Sequence, residues 1–579
     1  MAEEKKEGEK EDKNEGVIAY ELAKQQKDIS VADFFARNRH LLGFDNPKKA
    51  LLTSIKEAVD NSLDACEEAG ILPEINVEAI NMGNNRFRVI VEDNGPGIVK
   101  EQVSRIFAKL LYGSKFFKLS QSRGQQGIGI SASVMYGQLT TGRPAKITTR
   151  ISKNHQANYF ELHINTSLNK PEIVKEETVE WNKEHGTRIE IDLEADYQKG
   201  ARSVDAYLKY TAIVNPHATI IYTTPTAEQI IFPRATEQMP HKPRNIKPHP
   251  YGVELGNMIK MLQNTESRTL QSFLTNEFSR VGSGTAKEIC ENAALLPNTN
   301  PKKLSRELVE KLVEGIKNTK LISPPTDCIS PIGAELLEKG LRKEINAEFY
   351  STVSRPPSVY RGNPFLIEVG IAYGGDQPAE EQVNLLRFAN RVPLLFQQSA
   401  CAITKSVIQT SWKPYGLQQS NGAIPAGPCT MLVHIASVWV PFTSESKEAI
   451  AHYPELIKEI KLALQEAGRK LQMYVHKKNR VHQQLERANL FERYIPEVAN
   501  ALSRITEVSE EKIRQNLEKM TKKESIQKEM QVMQAVNVEY DEEMAKIEKP
   551  DEDEMGEEGP EEEETEKPKR KKAKPEDED

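Results

Sequence analysis

The chain's 579 residues are enough for three or four domains, and 38% hydrophobic with 28% charged residues is ordinary for a protein with sizeable packed cores. It has no run of about 18 apolar residues, and its first residues are charged and polar, so neither a membrane span nor a secretory signal is expected. The net charge of −7 is uneven: residues 1–15 carry −3 and residues 541–579 carry −11, leaving +7 on residues 16–540, a basic body compatible with a polyanionic partner.

In chain order, residues 1–15 are expected to be disordered. Residues 16–46 read as an amphipathic arm with apolar Ile29, Val31, Phe34, Phe35, Leu41 and Leu42. From about Pro47 to Pro233, helical and strand patterns alternate, an α/β signature. A linker rich in Pro and His spans 240–250, and 251–320 is helical by periodicity. Within it Gly282-Ser283-Gly284 should break two helices, with Thr285 and Glu288 as a capping box for the second. Pro324 and Pro325 close that segment. Residues 326–478 mix strands, at 364–372 and 430–440, with a long helix at 452–474 bearing Leu456, Ile460, Leu464 and Leu471 on one side. Residues 479–540 continue helical and charged, and 541–579 should be a disordered acidic tail. Five dispersed cysteines (Cys66, Cys290, Cys328, Cys401, Cys429) without a CxxC pair argue against zinc and for a reducing compartment, the cytoplasm being the simplest.

Three motifs carry chemistry. In Lys56-Glu57-Ala58-Val59-Asp60-Asn61-Ser62-Leu63-Asp64-Ala65-Cys66, read as a helix, Leu52, Ile55, Val59, Leu63 and Cys66 form one apolar stripe. Glu57, Asp60, Asn61 and Asp64 share another face. That face is either a solvated acidic surface or an oxygen cluster suited to Mg²⁺, which takes carboxylate, carbonyl and water ligands. Next, the alternation of Phe87, Val89 and Val91 gives a half-buried strand ending at Asp93, with Asn94-Gly95-Pro96-Gly97-Ile98 beyond. This is either a tight turn or a pocket floor whose carboxylate accepts from an exocyclic amine. Last, Ser122-Arg123-Gly124-Gln125-Gln126-Gly127-Ile128-Gly129-Ile130-Ser131 leads into an apolar helical run, so glycines and a helix N-terminus could cradle phosphate. Its spacing is neither a Walker loop nor GxGxxG.

In this order and within about 80 residues, the three motifs resemble the GHKL ATPases, the superfamily of gyrase B, MutL, sensor histidine kinases and a heat-shock chaperone. The resemblance implies a Bergerat α/β sandwich that binds ATP and Mg²⁺. It assigns Glu57 as general base, Asn61 as the Mg²⁺ ligand, Asp93 as the adenine contact, and residues Gly124, Gln125, Gln126, Gly127, Ile128, Gly129, Ile130 and Ser131 as the phosphate lid. Ser114 and Lys115, just ahead of the lid, are candidate nucleotide contacts by the same resemblance. A general-base Glu serves the reaction by orienting, or taking a proton from, a water in line with the γ-phosphate.

The rest of the chain resembles the topoisomerase VI B-subunit family. That order of domains predicts a GHKL domain with an N-terminal strap at 16–235, an all-α helix-two-turn-helix domain at 240–325 and an α/β transducer at 326–478. Local matches are Ile29-Ser30-Val31-Ala32-Asp33-Phe34-Phe35, Asn38-Arg39-His40-Leu41-Leu42-Gly43-Phe44 and Asn215-Pro216-His217-Ala218. Lys447, which reads as a first-turn lysine of a following helix, stands where the family's transducer lysine reaches the γ-phosphate. Lys199-Gly200-Ala201-Arg202 and Trp412-Lys413-Pro414-Tyr415 resemble the family's DNA-contacting elements and nominate Lys199, Arg202, Trp412 and Lys413; Ala201 departs from the second Arg often found there. The implied activity is ATP-driven closure of two copies around a DNA duplex, which then passes through a double-strand break. The break is made by the separate A subunit of topoisomerase VI, in an A₂B₂ assembly that relaxes and decatenates DNA. The alternative is another DNA-linked ATPase of the MutL type, which lacks the helical insertion expected at 251–320.

Overall fold

A computed structural model describes residues 18, 22–23, 26–115, 118–124, 127–444, 446–520 and 526–527. The disorder expected for 1–15 and 541–579, and the lid residues Gln125 and Gln126, lie outside the described residues.

The N-terminal domain is built on one long helix, Pro47–Ala69. Asn46 caps its start by accepting from the Lys49 N–H at 2.9 Å, Pro47 opens it, and Gly70 ends it in the left-handed conformation at φ 74°. The expected stripe is realised: Leu52, Ile55, Val59, Leu63 and Cys66 are all buried. The helix lies on a sheet formed by β1 (Glu74–Gly83), β2 (Arg86–Asp93), β3 (Ala145–Arg150), β4 (Ala157–Asn165), β5 (Lys170–Val179), β6 (Gly186–Glu194), β7 (Thr219–Thr223) and β8 (Gln229–Phe232). Among the described residues the strand order is β5-β4-β3-β6-β2-β1-β7-β8. β1 and β7 run parallel, while β2 pairs antiparallel with both β1 and β6. β2 therefore sits in the interior of the sheet, with Val89 and Val91 in the core, and delivers Asp93 at its end. Helices Lys100–Ala108, Gly129–Thr141 and Val204–Val214 complete the helical layer over one hydrophobic core.

Ahead of this domain, the arm forms a short helix, Val31–Arg37, capped by Ser30. It buries Ala32 and leans Phe35 and Leu42 on the core, but leaves Ile29, Val31 and Phe34 exposed.

The second unit is helical. Leu255–Asn264, Leu270–Glu277, Ser283–Asn292 and Arg306–Asn318 pack around Met258, Phe273, Leu274, Ile289 and Leu312. The expected capping box is not formed. The third helix starts at Ser283 with Gly282 as its cap, so Thr285 already lies inside the first turn and cannot cap it.

The third unit has strands β9 (Phe349–Ser354), β10 (Ser358–Tyr360), β11 (Asn363–Tyr373), β12 (Asn384–Ala389), β13 (Val392–Pro393) and β14 (Cys429–Ser437). β11 and β14 pair centrally and are almost wholly buried, because helix Ala334–Glu344 covers one face and the C-terminal helix the other. That helix begins at Pro454, two residues later than expected, and runs 53 residues to Thr506 with Pro496 inside it. Leu456, Ile460, Leu464 and Leu471 pack on the sheet as expected. Helix Glu510–Met520 follows. Among the described residues, no helix is long and apolar enough to cross a membrane.

The first and third units share a core. Ile213 and Val214 pack on Leu337, Leu341, Leu386, Phe388 and Leu432. A Cβ on Gly340 would stand 2.0 Å from the Ile213 carbonyl oxygen, so the two helices approach to backbone distance. This contact brings the loop before the C-terminal helix over the first domain.

Candidate functional site

A cavity of about 640 Å³ opens between the Pro47–Ala69 helix, the end of β2, the Gly129 helix start and the third unit. Its floor is Asp93. The Asp93 Oδ2 accepts from the Ser62 hydroxyl at 2.7 Å, and Oδ1 accepts from the Gly95 N–H at 2.9 Å and the Thr187 N–H at 3.1 Å. Burial raises the pKa of this carboxyl, and the three hydrogen bonds oppose that shift. Gly97 just beyond is in the left-handed conformation at φ 69°, and a Cβ there would lie 2.0 Å from the Arg150 carbonyl oxygen. The turn after β2 can therefore tuck against β3 only with glycine at this position. Apolar Val91, Ile98, Ile106 and Phe107 line the same end, which suits a flat heterocycle with one amine to place.

At the other end, Glu57 stands one helical turn from Asn61. Glu57 Oε1 is 3.1 Å from Lys56 Nζ. Oε2 lies against the start of the Gly129–Thr141 helix, where a Cβ on Gly129 would be 1.7 Å away. Burial works to raise the pKa of Glu57, but Lys56 and then Lys447 outweigh it and hold the carboxyl below its usual value. Lys447 reaches this end from the third unit. Its backbone is left-handed at φ 53°, in a loop bridged by Phe442 and Ile450, so it is not the first-turn helix lysine that the sequence suggests. Burial lowers its pKa, with Glu57 working in the opposite direction. Glu448 beside it bonds Lys49 at 2.9 Å, which ties the loop to the first helix.

The acidic face is not an empty cation site. Lys115 bonds Asp64 at 2.5 Å, Arg123 bonds Asp64 at 2.8 Å, and Lys56 bonds Asp60 at 3.2 Å. Protein cations thus supply the neutralisation that the sequence alone left to a metal. Among the described residues no cluster of three His, Cys, Asp or Glu could hold a metal ion. Asn61 is the exception on this face: it is exposed to the cavity, and its Oδ1 would lie 3.9 Å from a Cβ on Gly124. An amide oxygen opening toward a phosphate-sized space fits a Mg²⁺ ion that keeps most of its water and phosphate ligands.

Ser114, Lys115, Gly124, Gly127, Ile128, Gly129 and Ile130 line the cavity. Ser131 is buried behind them, its hydroxyl donating to the Ile128 carbonyl at 3.0 Å. Lys115 is raised in pKa because Asp64 outweighs its burial. The cavity can therefore take an apolar planar group at one end and several negative charges at the other.

Two features escaped sequence reasoning. The third unit contributes Leu394, Leu395 and Phe396 to the cavity wall, from a stretch with no motif. Behind the lid, Arg123 donates to Glu67 at 2.6 Å and to Asn215 at 2.5 Å, His217 bonds the same Glu67 at 2.8 Å, and Arg391 of the third unit stands 3.8 Å away. Asn390 donates to the Ser122 carbonyl at 3.0 Å, and Gln121 donates to the Ser330 carbonyl at 3.1 Å. The lid stem is thus bonded to the third unit. The one hint in the sequence was the Asn215-Pro216-His217 stretch, whose polar side chains are now seen to be buried.

The candidate DNA contacts divide. Lys199, Arg202 and Lys413 are exposed. Trp412 is fully buried, its indole N–H donating to the Val407 carbonyl at 2.8 Å and its ring packed edge-on to Tyr415. This corrects the sequence expectation: the apolar ring gains more from the core than from solvent, so Trp412 holds the turn that presents Lys413.

Comparisons with known proteins match the first and the third unit separately. A model of the histidine kinase-, DNA gyrase B- and HSP90-like ATPase matches residues 47–197. A model of the topoisomerase VI B subunit transducer matches residues 324–487. The chain is 51% identical over 487 residues to the B subunit of type 2 DNA topoisomerase 6 from Methanococcoides burtonii, covering 84% of this chain and 78% of that one. It is 51% identical over 494 residues to that of Methanosarcina barkeri, covering 85% and 80%. It is 46% identical over 487 residues to that of Archaeoglobus fulgidus, covering 84% and 81%.

Proposed function

The chain belongs to the B-subunit family of type 2 DNA topoisomerase 6, the ATP-hydrolysing subunits of type II DNA topoisomerases, and on that premise we propose how its residues carry out the work. The observation that carries the reading is the meeting of Glu57 and Lys447, from two different units, at one end of one cavity. Nucleotide in that cavity touches both units at once, so binding it favours one relative placement of the two, and losing the γ-phosphate releases it.

Asp93 accepts the adenine amine, since its Oδ2 has lone-pair capacity beyond the Ser62 bond. Lys115, Lys447 and the lid residues Gly124 through Ser131, Gln125 and Gln126 among them, hold the phosphates, and Ser114 beside Lys115 is a further nucleotide contact. Asn61 holds the Mg²⁺, which supplies charge neutralisation on the phosphate oxygens when bound. Glu57 is ionised at neutral pH, because its carboxyl is held below its usual pKa, and it orients the attacking water and takes its proton.

We assign 16–235, 240–325 and 326–478 as the GHKL, helix-two-turn-helix and transducer domains; of the helical extension expected at 479–540, the described residues are helical over Pro454–Thr506 and Glu510–Met520, and 521–525 and 528–540 lie outside the described residues. The helical cluster and the matched transducer favour this reading over a MutL-type ATPase. The exposed Ile29, Val31 and Phe34 of the arm suit a strap that a second copy covers in an ATP-bound dimer. The topoisomerase VI A subunit supplies the DNA-cleaving centre in an A₂B₂ assembly, and double-stranded DNA lies against Lys199, Arg202 and Lys413. Five unpaired cysteines suit the reducing cytoplasm.

Sedimentation of the purified chain tests the closure step. A non-hydrolysable ATP analogue should convert monomer to dimer, and Glu57→Ala should accumulate the dimer with ATP itself. A chain that stays monomeric at saturating analogue would overturn the strap-closed dimer.

A further inference from the structure

Glu57 is held by a set of side chains, half-buried Lys56 and buried Asp60 and Tyr207, that the family assignment does not use. Lys56 Nζ lies 3.1 Å from Glu57 Oε1 and 3.2 Å from Asp60 Oδ2. Asp60 Oδ1 in turn accepts the Tyr207 hydroxyl at 2.9 Å, and Tyr207 is wholly buried in the helix Val204–Val214. An i,i+4 lysine–aspartate pair on an exposed helix face is ordinary and contributes little. Here the Lys56 and Asp60 side chains are only 18% and 6% exposed, so the ammonium is fixed between two carboxylates rather than moving in solvent. One oxygen of Glu57 is thereby occupied. The other lies against Gly129, where no side chain could fit.

We propose that Lys56 is a positioning residue for ATP hydrolysis: it anchors Oε1 of Glu57 so that Oε2 alone is presented to the attacking water, and Asp60 with Tyr207 holds the lysine in place. The proposal rests on the reading of Glu57 as the general base. A carboxylate free to rotate would offer either oxygen at a range of angles, whereas a tethered one is already aligned, and misplacing a reacting group by about 1 Å can cost about 100-fold in rate. The charges around Glu57 also set its proton affinity. Lys56 and Asp60 face it from its own helix, Tyr207 from the helix Val204–Val214, Lys447 from the transducer loop and Lys115 from the stretch before the lid. Lys56 and Asp60 act on Glu57 with opposite sign, so removing them should move its titration in opposite directions.

The test is the steady-state ATPase of the full chain across pH, with nucleotide affinity measured in parallel, for Lys56→Met, Lys56→Arg, Asp60→Asn and Glu57→Ala. Lys56→Met should lower kcat by about 10- to 100-fold with nucleotide affinity near wild type, and should move the acid limb of the kcat profile to higher pH. Lys56→Arg should restore most of the rate. Asp60→Asn leaves Lys56 to Glu57 alone and should move the acid limb to lower pH. A wild-type rate and limb in Lys56→Met overturns the proposal, as does a shift of both limbs in the same direction. If Lys56→Met does not fold, Lys56→Gln, which also removes the charge, and Asp60→Asn decide it by the same opposed shifts of the acid limb. Glu57→Ala separates the two claims: full hydrolysis there removes the base assignment itself, whereas loss there with unchanged Lys56 and Asp60 variants removes only the role of Lys56.

Discussion

Replacing Asp93 with Asn should weaken nucleotide binding without unfolding the site. Oδ1 of Asp93 accepts the Gly95 and Thr187 N–H groups, and Oδ2 accepts the Ser62 hydroxyl. An asparagine can keep its single oxygen on the Oδ1 side and so retain both backbone bonds. Its amide nitrogen then replaces Oδ2, and the Ser62 hydroxyl can turn and accept from it, because a hydroxyl both donates and accepts. The protein thus loses little, but the purine amine now meets a donor. Hydrogen bonds to charged groups contribute roughly 1.5–3 kcal/mol, which corresponds to about 10- to 150-fold in affinity. Solvent does not dilute this, since Asp93 is 6% exposed. Isothermal titration calorimetry with a non-hydrolysable ATP analogue, alongside the Tm of the free protein, separates the two effects. A Kd within about twofold of wild type, with Tm unchanged, would refute the assignment of Asp93 to the adenine end.

Four further outcomes are expected. Lys447→Met should slow hydrolysis while leaving the fold intact, because the lysine sits in a loop whose Ala449 and Ile450 carry the packing; ATPase activity at the wild-type level would place Lys447 outside the reaction. Asn61→Ala should raise the Mg²⁺ concentration needed for half-maximal hydrolysis, and an unchanged Mg²⁺ titration would remove it as the metal ligand. Trp412→Ala should destabilise the third unit by about 3–5 kcal/mol, the usual cost of emptying a large aromatic site, read as a fall in denaturation midpoint; a fully stable variant with reduced DNA binding would restore the ring to the DNA surface. DNA should stimulate the ATPase, with log affinity falling against log salt by about 0.9 per phosphate contact. Neutralising Lys199, Arg202 and Lys413 together should lower that slope, and an unchanged slope would mean that they do not touch DNA.

The parts of the fold set by local chemistry were legible. The stripe from Leu52 to Cys66 and the alternation that ends at Asp93 each use a short-range rule, and the structure follows them. Where two local signals competed, at Gly282-Ser283-Gly284, the break between helices falls as expected, but Gly282 rather than Thr285 stands at the cap. What sequence could not supply is what long-range packing decides. The face bearing Asp64 left a Mg²⁺ cluster open as one of two readings until the fold brought Lys115 and Arg123 to it from beyond position 110. Trp412 looked like a surface aromatic beside a lysine, but the core formed with Val407 and Leu417 claims its ring. Leu394 to Phe396 reach the cavity only because the third unit docks on Ile213 and Val214. Glu57 itself was found by its place in a three-motif order. Its tether to Lys56 was hidden, because adjacent residues on a helix do not ordinarily face each other.

The central claim is that ATP turnover at Glu57 drives DNA transport by this chain together with its DNA-cleaving partner. Relaxation of supercoiled plasmid by the reconstituted pair, wild type against Glu57→Ala, measures it directly. The account predicts ATP-dependent relaxation by the wild type over many turnovers and, with Glu57→Ala, nucleotide binding without sustained relaxation, the rate falling by about 10²- to 10⁴-fold. Relaxation by the Glu57→Ala pair at the wild-type rate, or none by the wild-type pair with ATP, would contradict it.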